Sequence, residues 1–156
     1  MFGFLNRKMR KIYAPVDGEV LSIESVKDEV FSQKLVGDGV AIMPMSNIFK
    51  APIDGVISKI FSTNHAYSIK SPKDLEVMVH IGLDTVALEG KGFERLLEEG
   101  AEVKVGDGII KADLAYIKEQ AKDIITPILI LEESDVKDIK KYLKIVKNKD
   151  IIMEVN

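Results

Sequence analysis

The chain has 156 residues, with 22 Lys and Arg against 25 Asp and Glu and a formal net charge of -3, which suits one domain and argues against a dedicated nucleic-acid binder. Its 46% hydrophobic content supports a substantial core, and the absence of Cys excludes a disulfide scaffold, a thiolate metal site and a cysteine nucleophile. No apolar run reaches the roughly 18 residues of a spanning helix, so a soluble cytoplasmic protein is expected.

In residues 1–11, Phe2, Phe4 and Leu5 precede Arg7, Lys8, Arg10 and Lys11, the reverse of a secretory signal. A flexible N-terminal segment is expected there, able to make weak peripheral contact with a membrane, with one domain over 12–156. With Met1 at its start, a free-standing protein is the expectation, the alternative being one end of a larger fusion. Internal repetition organises the rest of the chain. Ala14-Pro15-Val16-Asp17-Gly18-Glu19-Val20 recurs as Ala51-Pro52-Ile53-Asp54-Gly55-Val56-Ile57, and Val36-Gly37-Asp38-Gly39-Val40 as Val105-Gly106-Asp107-Gly108-Ile109. Pro followed by Asp-Gly is turn chemistry, and the Gly-Asp-Gly units read as tight turns or bulges. Two related β units in one domain are expected.

Short strands are predicted near 18–24, 38–43, 55–61, 75–84, 107–112 and 127–131. Helical patches are predicted over Phe93 to Glu99, closed by Gly100, over Asp113 to Lys122, and over Ser134 to Leu143 with Ser134 as N-cap. Many short strands with few helices point to an all-β protein, an antiparallel sandwich or barrel. In the 75–84 strand the odd positions are Leu75, Val77, Val79, Ile81 and Leu83, so His80 falls on the opposite face, beside Met78 and Gly82. Gly82 is expected to leave open space beside the imidazole. His65, the other histidine, lies in the polar stretch after Phe61.

By periodicity alone both histidines can equally be ordinary surface or satisfied side chains. Two histidines without Cys or a His-x-His pair make no closed metal site, and no phosphate-binding glycine loop is present, so no metal and no cofactor are expected. A biotinyl or lipoyl carrier needs a lysine where Met43-Pro44-Met45 has proline. A zinc peptidase on a similar duplicated sheet needs more histidines than the chain has.

The string Val77-Met78-Val79-His80-Ile81-Gly82-Leu83-Asp84-Thr85-Val86 resembles the active-site signature of the glucose-type IIA components of the bacterial phosphoenolpyruvate-dependent sugar phosphotransferase system. Ile60-Phe61-Ser62-Thr63-Asn64-His65-Ala66-Tyr67-Ser68-Ile69 resembles its second-histidine segment, and further matches extend the likeness over roughly residues 12 to 145. The resemblance implies antiparallel sheets built from a duplicated hybrid motif. It also implies that His80 takes a phosphoryl group from the carrier HPr through Nε2 and passes it to a cysteine of a IIB domain during sugar uptake. His80's other nitrogen would then hold its proton on an acceptor such as a backbone carbonyl. His65 would lie against His80 and hydrogen-bond the phosphoryl oxygens, with Thr63 orienting an imidazole. Val30, Phe31, Val36, Phe61 and Met78 match an exposed apolar docking surface in the family, and Asp28 and Asp84 its acidic rim. Glu76 and Asp84 are expected to be turned away or paired, since a carboxylate against the phosphate would oppose transfer. The alternative is a regulatory module whose phosphorylation state controls other proteins. Asp74 departs from the family's usual Gly, where Asp's tolerance of the left-handed region is expected to preserve the turn. Glu29 and Tyr67 are further departures, at positions that bear on partner choice.

Overall fold

A computed structural model describes residues 9–147 and 149–156. It contains an eight-stranded antiparallel sheet and two three-stranded sheets, with two short α-helices among the described residues. The strands are β1 (Arg10–Tyr13), β2 (Gly18–Ser22), β3 (Gly37–Pro44), β4 (Ile48–Lys50), β5 (Gly55–Ile60), β6 (Ala66–Ser71) and β7 (Leu75–His80). They continue as β8 (Phe93–Arg95), β9 (Glu102–Val103), β10 (Gly108–Ala112), β11 (Thr126–Leu131), β12 (Ile139–Lys141), β13 (Ile145–Val146) and β14 (Ile151–Val155). The helices are α1 (Glu29–Ser32) and α2 (Leu114–Gln120). The large sheet runs β13-β2-β3-β11-β7-β6-β5-β9; the small ones run β1-β14-β12 and β4-β10-β8.

The sequence repeat is a structural one. Tyr13 N–H donates to the Pro52 carbonyl at 2.9 Å, and Lys50 N–H donates to the Pro15 carbonyl at 2.9 Å. Each bond joins the residue before one Ala-Pro unit to the proline of the other, so the two units clasp reciprocally. Gly18 and Gly55 then open equivalent strands, β2 and β5. The Gly-Asp-Gly units diverge. Gly106 has φ 94° and forms the expected turn before β10, whereas Gly37 and Gly39 lie inside β3. The reason at Gly39 is steric: a Cβ there would stand 1.9 Å from the Ile128 carbonyl oxygen of neighbouring β11.

Two hydrophobic clusters divide the large sheet's faces. The main one includes Val77, Val79, Ile128 and Ile130 together with Phe49 and Ile152 of the smaller sheets. The second gathers Ile23, Val26, Phe31, Ala41, Leu83, Ile125 and Leu129, with Met78, Val36, Met43 and Leu21 packed against it. Leu129 and Met78 are register partners on β11 and β7, and both point to this second face. The near-continuous apolar run of β11 is therefore buried on both sides, as such runs usually are.

Three sequence expectations are corrected. Phe93 to Glu99 is no helix: Gly90 and Gly92, both with φ 90°, turn the chain, and Phe93–Arg95 pairs with β10 instead. Ser134 to Leu143 is no helix either. The Ser134 hydroxyl accepts from Glu76 N–H at 2.8 Å, and Ile139–Lys141 forms β12 against β14. Gly82 borders no open space, since a Cβ there would meet Thr85 Cγ2 at 2.6 Å and the Asp123 carbonyl oxygen at 2.8 Å. The helix expected after Asp113 is α2, with the Asp113 carboxylate accepting from Tyr116 N–H as its N-cap. Asp74 has φ 54°, so the departure from Gly retains the left-handed turn. Of the segment 1–11, residues 1–8 lie outside the described residues, while Arg10 and Lys11 pair with β14.

Gly39→Ala is expected to force β3 away from β11 and cost at least about 2 kcal/mol, lowering Tm by roughly 4–8 °C. Thermal unfolding followed by circular dichroism reads this directly, and an unchanged Tm would contradict the close approach.

Candidate functional site

His80 is the last residue of β7, whose alternate residues Leu75, Val77 and Val79 are buried in the main core. The period of two turns Glu76, Met78 and His80 to the other face. His65 reaches the same place from the start of β6. The β6–β7 register pairs Ala66 with His80, and Ile81 N–H donates to the His65 carbonyl at 2.8 Å. The ring centroids stand 5.0 Å apart at an interplanar angle of 78°. Phe31 packs against His80 at 4.9 Å, and Phe61 meets His65 edge-on at 5.4 Å, so four rings form one row.

Each imidazole is held through its Nδ1. That of His80 lies 2.8 Å from the Gly82 carbonyl oxygen. A carbonyl only accepts, so this nitrogen carries the proton and Nε2 keeps its lone pair. The Nδ1 of His65 lies 2.6 Å from the Thr63 hydroxyl, which can either donate or accept. The chain around Gly82 is fixed on all sides. Leu83 N–H donates to the Asp123 carbonyl at 2.9 Å, and the Thr85 hydroxyl donates to the Ile81 carbonyl at 2.7 Å. Gly82 and Asp84 both take positive φ, 78° and 57°.

Both rings are held neutral. Burial, reinforced by the neighbouring His80, pushes the His65 pKa down to about 4. Burial also lowers that of His80, against the upward pull of the Gly82 carbonyl and of the Asp28 and Asp84 carboxylates. His65 is only 3% exposed, in keeping with that direction.

The remaining residues singled out in the sequence fall around this row. Met78 shares the His80 face of β7 and, with Val36, packs on the second cluster. Val30 is exposed on α1, and Phe61 is half-buried after β5. Phe31 is not exposed as expected: α1 folds it down onto His80 and the second cluster, leaving it 6% exposed. Asp28 is the N-cap of α1, accepting from Val30 N–H at 3.0 Å, and Asp84 is exposed in its left-handed turn. The Glu76 carboxylate accepts from the Ser58 hydroxyl at 2.6 Å, so it is paired as expected. The Gly82 carbonyl is invisible to residue patterning, since any residue has one; only the positive φ open to a glycine marks the spot.

Among the described residues no group of three or more His, Cys, Asp or Glu side chains is arranged to hold a metal ion. An open groove of about 700 Å³ along β5 and β9, and another beside β1, include neither histidine. No helix among the described residues is long and apolar enough to cross a membrane.

Folded-state depression of both histidine pKa values predicts a stability that is full above pH 6.5 and falls as the unfolded chain alone takes up protons on acidification. For His65 the loss runs from about 6.5 down to about 4 and then levels off. Imidazole Cε1–H titration by NMR checks this: His65 should titrate near 4 and His80 below 6.5, and an ordinary midpoint for His65 would refute its burial.

Known proteins share this arrangement of chain. Residues 10–136 match the family described as phosphoenolpyruvate-dependent sugar phosphotransferase system, EIIA 1. The "PTS system glucose-specific EIIA component" of Buchnera aphidicola subsp. Baizongia pistaciae is 52% identical over 137 residues, 88% of this chain and 78% of that protein. The protein of the same name from Haemophilus influenzae is 47% identical over 144 residues, 92% of this chain and 87% of that one. The solved structure of glucose permease IIA from Mycoplasma capricolum superposes with a TM-score of 0.91 at 36% identity, covering 95% of this chain and 96% of that one. The chain belongs to the EIIA 1 family of the phosphotransferase system, in the role of a phosphocarrier that accepts phosphate from HPr and passes it to a IIB domain.

Proposed function

We propose that His80 is the residue that carries the phosphoryl group, on Nε2, and that His65 and Thr63 serve the transfer. The observation that supports this reading most is the 2.8 Å contact between His80 Nδ1 and the Gly82 carbonyl. It leaves Nε2 with a free lone pair, and burial favours the neutral ring, so the imidazole attacks phosphorus without a separate base. In the first step the Nε2 lone pair forms the new N–P bond, while the N–P bond of the donor phosphohistidine breaks and its electron pair returns to the donor ring. In the second, the IIB thiolate attacks phosphorus, the S–P bond forms and the pair returns to Nε2. The Nδ1 proton stays on its carbonyl throughout, so neutral His80 is regenerated.

Phosphoryl transfer passes through a loose transition state with its charge on the equatorial oxygens, so positioned donors do most of the work. A Thr63 hydroxyl donating to His65 Nδ1 fixes the His65 proton on Nε2, free to donate to a phosphoryl oxygen. Donors of this kind serve without a metal ion. Val30, Val36, Phe61 and Met78 form the apolar surface for partner docking, with Asp28 and Asp84 steering a basic partner surface. Phe31, being buried, supports His80 from behind and is no docking contact. The protein thus works in the cytoplasm, between HPr and a IIB domain.

Incubation with phosphoenolpyruvate, enzyme I and HPr tests the assignment. Wild type should gain an acid-labile, base-stable phosphate, and His80→Ala should gain none; equal acceptance by the two would sink the assignment. His65→Ala should still accept phosphate from HPr but pass it to a IIB domain roughly 100-fold more slowly, as loss of one transition-state donor does elsewhere. Rapid-quench measurement of the two half-reactions separates these outcomes.

A further inference from the structure

The turn that carries Thr63 and His65 is closed at its ends by Phe61 N–H donating to the Ala66 carbonyl at 2.9 Å. Its apex is Asn64, in the left-handed region at φ 60°, with its own N–H on the Phe61 carbonyl at 2.7 Å. Non-glycine residues enter that region at a cost, and asparagine is among the few that do so readily. The Asn64 side chain is tied down from outside the turn: Arg95 Nε donates to its Oδ1 at 3.0 Å.

Arg95 is well suited to that task. It ends β8, opposite Ile110 of β10, and its side chain is only 26% exposed. Its Nη1 is held by Glu98 at 3.0 Å, which orients the guanidinium plane. A second side chain from the same segment grips the chain just before the turn, where Glu99 Oε1 accepts from Ile60 N–H at 2.8 Å. The segment 95–99 thus clamps both ends of the stretch between Ile60 and Asn64. A guanidinium is permanently charged and planar, so its hold does not vary with pH and transmits direction as well as distance.

We propose that Arg95 is a positioning residue for the phosphoryl transfer, acting through Asn64 to set where the Thr63–His65 pair stands against His80. The inference rests on the reading that His80 carries the phosphoryl group and His65 serves it. Small displacements of a positioned donor are expensive in rate, so Arg95→Ala should slow onward transfer to a IIB domain roughly 10-fold while leaving the final extent of phosphorylation unchanged.

A double-mutant cycle with His65→Ala tests it. If Arg95 acts through His65, Arg95→Ala slows the wild type and has no further effect once His65 is gone. Asn64→Gly provides an independent variant, since glycine accepts the same φ without strain and removes only the acceptor; it should reproduce the Arg95→Ala rate. Wild-type transfer by Arg95→Ala or Asn64→Gly overturns the proposal. So does equal slowing by Arg95→Ala in the wild-type and His65→Ala backgrounds, which would mark a merely structural role. Phosphate acceptance by His80→Ala, run alongside, would instead overturn the underlying site assignment, so the two failures are told apart.

Discussion

Everything at the site depends on one hydrogen bond, from His80 Nδ1–H to the carbonyl of Gly82. The acceptor is two residues along the same chain, so the ring's tautomer is set by the path of the backbone. That path is forced: Gly82 needs its positive φ, and the space where a side chain would stand is filled by Thr85 and the Asp123 carbonyl. A neutral acceptor also matters chemically. A carboxylate in the same place would pull the imidazole toward its protonated form, which has no lone pair to attack with. A backbone carbonyl fixes the proton on Nδ1 while allowing burial to prevail and keep the ring neutral.

The second hydrophobic cluster supplies that burial. A sheet with one solvated face would leave His80 in water, at an ordinary pKa. Here the loop from Ile23 to Phe31 folds over the outer face of β3 and β11, and Phe31 comes to rest on the His80 ring. The Asp28 cap holds the start of α1 and so fixes where Phe31 lands. Asp28 therefore both steadies the element that desolvates His80 and draws the His80 pKa upward. Desolvation outweighs that pull.

Much of this is legible in the sequence, for identifiable reasons. The alternation in 75–84 places His80 on the face away from the main core, because a strand's period is local. The Ala-Pro repeats announce two related β units, and their prolines prove to bond one unit to the other. The failures have a common cause in tertiary pairing. Phe93 to Glu99 has helix-forming residues, yet it pairs as a strand because β10 offers it a partner. Ser134 is a fair N-cap by composition but is taken by Glu76, 58 positions earlier in the chain. Strand β1 joins a separate small sheet with β14 and β12, more than a hundred residues further along the chain, and no local pattern foretells β1 or β14. Gly82 draws notice for the wrong reason: glycine signals either open space or a crowded left-handed turn, and sequence alone does not say which. Phe31 is expected at the surface through the family resemblance alone, and a four-residue helix carries no periodic signal that would mark its buried side.

The paired neutral histidines also explain why such a site suits a transferred phosphoryl group in the proposed relay. Two imidazolium rings with centroids 5.0 Å apart in a desolvated row would repel strongly, and His80 helps to keep His65 neutral. The paired rings of the resting site therefore hold no charge of their own, and a dry, uncharged surface is the least costly to cover with a docking partner. A phosphoryl group arriving on Nε2 reverses that condition by bringing negative charge into the row. The same low polarity that keeps the rings neutral then strengthens every hydrogen bond donated to the phosphoryl oxygens. It also makes the added charge costly to leave buried, which in the proposed relay favours passing the group on.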